Sequence, residues 1–60
     1  MSRLLQDLRH ALRLIGRALE LNPNDAAAHL NLGNALMDLK RPEEALASYD
    51  RALALKPDYV

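Results

Sequence analysis

Shifted by 34 residues, the chain echoes itself. Ala11, Leu12, Arg17, Ala18, Leu19, Leu21 and Pro23 coincide with Ala45, Leu46, Arg51, Ala52, Leu53, Leu55 and Pro57, seven identities in thirteen positions. With fourteen leucines and ten alanines in the chain, Leu and Ala matches are cheap, so the Arg and the Pro carry more weight. A period of this length marks units of supersecondary structure that stack on one another. The segment around 42–55 is therefore a copy of the later part of the segment before Pro23.

The pattern inside each unit is helical. Leu4, Leu5, Leu8, Ala11, Leu12, Ile15, Ala18 and Leu19 recur at three- and four-residue steps and form one apolar stripe, with Ser2 placed to cap it. Asn22-Pro23-Asn24-Asp25 ends this helix, because proline biases the residue before it away from helical angles. Asp25 or Asn24 can cap the next helix, which carries Ala28, Leu32, Ala35, Leu36 and Leu39 on one side. Pro42 suits the first turn of a third helix, and Glu43 and Glu44 complement its dipole. Ala45, Leu46, Tyr49, Ala52 and Leu53 are its expected core face, and Lys56-Pro57 stops it. Few residues are β-branched, and the chain has no Thr. The expectation is an all-α chain with helices at about 3–21, 26–39 and 42–55, antiparallel because the connections are short.

These residues resemble the tetratricopeptide repeats. His29 stands where that family has Trp, followed by Leu32-Gly33 and Leu36, and Ala45, Tyr49, Ala52 and Pro57 follow at the family's intervals. The resemblance implies about one and a half repeats, a complete one at 26–59 after a partial one at 2–25. There are departures. His29 and Leu36 replace large aromatics and thin the core. Pro42 replaces a bulky residue. Gln6 and Lys40 take the turn position where Gly is frequent, and nothing at Gln6-Asp7 enforces a break in the first helix. Gly33, Ala45 and Ala52 should let helices approach closely, with Leu32, Leu36, Leu46, Tyr49 and Leu53 filling the rest. The family holds peptides on the concave face of each repeat's first helix. The matching positions are Ala27, Leu30, Asn34, Met37 and Asp38. Some relatives clamp a C-terminal carboxylate there with Asn, Lys and Arg, of which Asn34 alone matches.

A solenoid repeat buries its faces only against neighbours, and a 60-residue chain is marginal alone. With no Cys there is no disulfide staple. Leu4, Leu5, Leu8, Leu14 and Leu30, with Met37, are the expected uncovered apolar residues. The charges cancel over the whole chain, yet residues 1–23 carry net +2 and residues 24–60 net −2. Head-to-tail or antiparallel self-association would pair these halves, although so small a difference is also ordinary scatter. The expectation is a homodimer or higher oligomer, with Leu4, Leu5, Leu8 and Leu14 in the interface. The rival reading is a peptide-binding module, or a fragment of a longer array whose other repeats would cover these faces, recognising another protein through its concave face.

Other chemistry is poorly supplied. A chain this short rarely walls a catalytic pocket, and neither Ser2 nor Ser48 has a His in sequence support, so no enzyme is expected. Asp7/His10 and Asp25/His29 could each share a helix face, but two ligands make no metal site. His29 reads as packing and His10 as a surface residue. There is no Gly-rich phosphate loop, and no cofactor or small-molecule substrate is expected. Zero net charge gives no pull toward nucleic acid, and the third helix has Arg51 alone among cations. No segment has the apolar length of a membrane span. The Arg-rich N-terminus resembles a mitochondrial presequence, but the repeat explains the same residues better. Lack of Cys is compatible with a reducing cytosol, and the expected location is cytoplasmic.

Overall fold

The computed structural model describes residues 3–58, without the side chains of Leu4 and Leu5. Three α-helices follow in order: α1 (Arg3–Leu21), α2 (Ala26–Asp38) and α3 (Pro42–Leu55). The first runs unbroken through Gln6-Asp7. Helix α2 packs against both others, while among the described residues α1 and α3 do not pack together. The capping role expected of Ser2 lies outside the described residues.

Each boundary has a local cause. At the α1–α2 turn, Asn22 Oδ1 accepts from the Asn24 N–H at 3.3 Å. Asp25 is the N-cap of α2, its carboxylate accepting from the Ala28 N–H at 3.2 Å. At the other end of α2, the Arg41 N–H donates to the Leu36 carbonyl and the Lys40 N–H to the Met37 carbonyl, both at 2.9 Å. This paired pattern is a Schellman cap, and Lys40 holds its left-handed position at φ 61°. Helix α3 starts with Pro42 in its first turn, followed by Glu43 and Glu44. Just outside it, the exposed Arg41 guanidinium pairs with the Glu44 carboxylate at 2.9 Å.

The core is built from small residues. Ala28, Ala35 and Leu36 of α2 are buried with Ala45 and Ala52 of α3, and Gly33, His29 and Ser48 join them. Small side chains let α2 and α3 approach closely, as expected for Gly33, Ala45 and Ala52. A Cβ built on Gly33 would stand 2.5 Å from Tyr49 Cε1, so the ring fills the space that glycine leaves. Among the described residues no large side chain is fully buried.

Two expected core residues are not in the core. Leu46 and Leu53 are 60% and 46% exposed. Helix α3 turns Ala45, Ser48, Tyr49 and Ala52 toward α2, which rotates Leu46 and Leu53 outward. Their counterparts one repeat earlier, Leu12 and Leu19, are half-buried on the stripe Leu8, Ala11, Leu12, Ile15, Gly16 and Leu19 that α1 turns to α2. Helices α1 and α3 thus share a sequence pattern but offer different faces to the middle helix. Ala18, assigned to the α1 stripe from periodicity, is exposed, because it sits on the face that Ala52 uses in α3. Ser48, unassigned from sequence, is buried there.

Candidate protein-binding face

One side of α2 carries mostly exposed residues. Ala27, Asn34, Met37 and Asp38 are exposed on it, and Leu30 is half-buried at its edge. All five residues that the resemblance nominated thus lie along one side of one helix. Asn31 shares the stripe and is exposed. Helical spacing from Ala27 through Asn34 could have nominated it, since 27, 31, 34 and 38 fall on one line.

Asn34 is oriented from outside its own helix. The Tyr49 hydroxyl donates to Asn34 Oδ1 at 2.7 Å. With its oxygen engaged, the amide keeps its NH2 group as the end for a further acceptor. Tyr49 therefore does two things: its ring packs on Gly33 and its hydroxyl aligns a polar group on the open face. The spacing predicted only the first.

His29 is buried, and its Nε2–H donates to the Pro23 carbonyl at 2.9 Å. This fixes the tautomer and ties α2 to the α1–α2 turn. A shallow cleft lies beside it, lined by His29, Leu32, Ala47, Ser48 and Arg51. Of the remaining signature positions, Leu36, Ala45 and Ala52 are buried, Leu32 and Tyr49 half-buried, and Pro57 exposed beyond α3.

The residues expected in a self-association surface divide. Leu14 is exposed on α1. Leu8 is half-buried on the α2-facing stripe and so is not free. The side chains of Leu4 and Leu5 lie outside the described residues. Leu21, Leu46, Leu53 and Leu55 are exposed and were not nominated for this role. Among the described residues no helix is long and apolar enough to cross a membrane.

A helical hairpin with a small-residue seam, flanked by a copy of its own second helix, defines an antiparallel helical repeat. The chain belongs to the tetratricopeptide repeat family, whose profile matches residues 5–60, and repeats of this kind mediate protein–protein interaction. It is similar to the peroxisomal targeting signal receptor of Kluyveromyces lactis, at 51% identity over 43 residues, 72% of this chain and 8% of the relative. The receptors of the same name from Candida glabrata and Saccharomyces cerevisiae are each 49% identical over 43 residues, 72% of this chain and 7% of the relative. The chain thus spans less than a tenth of the length of these curated relatives. No solved structure gives a significant match.

Proposed function

We propose that this chain is a non-catalytic, cytoplasmic protein-binding unit whose α2 face holds a polypeptide segment. The observation that carries this reading is the 2.7 Å bond from the Tyr49 hydroxyl to Asn34 Oδ1. It presents an aligned amide donor between Ala27 and Met37, so a main-chain carbonyl can be taken while apolar side chains rest on Leu30 and Met37. Similarity to receptors named for a targeting signal favours the same class of ligand. The probe is a peptide ending Ser-Lys-Leu, the C-terminal peroxisomal address. Titrated into 15N-labelled chain, it is expected to move the amide signals of residues 27–38 saturably. Shifts confined to α1 or α3, or none, overturn this reading.

A second reading is self-association through apolar faces. It is favoured by the exposure of Leu14 and Leu21 on α1 and of Leu46 and Leu53 on α3. The oligomer and the scaffold role belong to this reading. The two readings use different helices and are compatible.

A further inference from the structure

The two free faces on the outer helices match each other better than either matches itself. On α1, Leu14 and Leu21 are 55% and 89% exposed, seven residues apart. On α3, Leu46 and Leu53 are also seven apart, so each pair spans about 10 Å of helix. The exposed charged residues bordering Leu14 and Leu21 are Arg3, Arg13 and Arg17 with His10, against the acids Asp7 and Glu20. Those bordering Leu46 and Leu53 are Glu43 and Asp50, with Lys56 just past the end of α3. One face is apolar with a border that is basic on balance, the other apolar with a border that is acidic on balance.

We infer that the Leu14–Leu21 face of α1 receives the Leu46–Leu53 face of α3 from a second copy of this chain, head to tail. The inference rests on the self-association reading above and names its surfaces. One chain cannot pair its own two faces, because α2 separates the helices and among the described residues they do not pack together. Pairing α1 with α1 sets arginines against arginines, and pairing α3 with α3 sets Glu43 and Asp50 against their own copies. The mixed pairing sets the net basic border against the net acidic one. It is heterologous, so it leaves one face free at each end and continues to a third copy.

The test is sedimentation equilibrium of the full chain over a wide concentration range, with two double variants. Leu14→Glu/Leu21→Glu blocks the α1 face, and Leu46→Glu/Leu53→Glu blocks the α3 face. All four leucines are exposed, and far-UV circular dichroism checks that helix is retained. If helix is lost, the corresponding glutamine variants serve. The unmodified chain is expected to grow past a dimer as concentration rises. Each variant alone is expected to associate at least about tenfold more weakly. An equimolar mixture of the two is expected to stop at a one-to-one heterodimer, through the one intact face on each. Association of either variant alone with undiminished strength overturns the inference and assigns an α1–α1, α3–α3 or α2 interface instead. A chain that stays monomeric throughout overturns self-association itself and leaves the α2 face untouched.

Discussion

Lys40 sits in a conformation that its side chain opposes. Its φ of 61° is the left-handed position of the Schellman cap after α2, where glycine carries no Cβ penalty. Left-handed backbone costs an ordinary L-residue about 1–2 kcal/mol, part of which glycine returns through its freer unfolded chain. Lys40→Gly is therefore expected to stabilise the fold by about 1 kcal/mol in urea unfolding. No gain would mean that the lysine side chain offsets the strain through a contact of its own. Gly33 is the opposite case. Any side chain there meets the Tyr49 ring, and the ring is held at its far end by Asn34. Gly33→Leu is expected to destabilise by about 1–3 kcal/mol by overpacking. It should also weaken any ligand on the α2 face, because the displaced ring carries the hydroxyl that aligns Asn34. Both positions were legible as residue types in family places: a small residue at 33 and a missing glycine at 40. The Tyr49–Asn34 bond was not. It joins residues fifteen apart on different helices, and no local pattern encodes that meeting.

At the scale of helices, boundaries were easier to read than faces. Pro23, Asp25 and Pro42 act through their own backbone or side chain within a few residues, so the ends of α1, α2 and α3 follow from local chemistry. Which leucines a helix buries depends on its neighbours. The apolar arc of α3 spans Ala45, Leu46, Tyr49, Ala52 and Leu53, wider than one partner covers, and α2 takes only the alanine side. The repeat itself held the missing information. Leu12 and Leu19 are half-buried against the helix that follows them, and Leu46 and Leu53 hold the matching positions of α3. Helix α1 also holds a correctable weakness. Gly16 lies mid-helix, and a Cβ built there has no neighbour within 4 Å. Gly16→Ala should raise stability by up to about 1 kcal/mol, read as a shift in the urea midpoint at unchanged slope. A loss instead would place another chain's atoms against Gly16, since its own chain leaves the space open.

Over the whole molecule, cohesion is unevenly shared. Among the described residues every buried one belongs to α2 or α3, and the side chains that α1 contributes are half-buried. The α2–α3 seam is built of alanines, with no large side chain fully buried among the described residues. Alanine brings little apolar area, so close backbone packing must supply what bulk does not. Such a chain is expected to open in parts, because among the described residues α1 packs on the rest through α2 alone. Native-state hydrogen exchange should show the α1 amides as the least protected of the three helices and the α2 amides as the most. Head-to-tail association makes the order depend on concentration. Helix α1 gains a partner on its Leu14–Leu21 face, so its protection should rise as the chain is concentrated, while that of α2 changes little. Equal protection in all three helices at every concentration would instead make the chain one cooperative unit, with α1 as firmly held as the alanine seam.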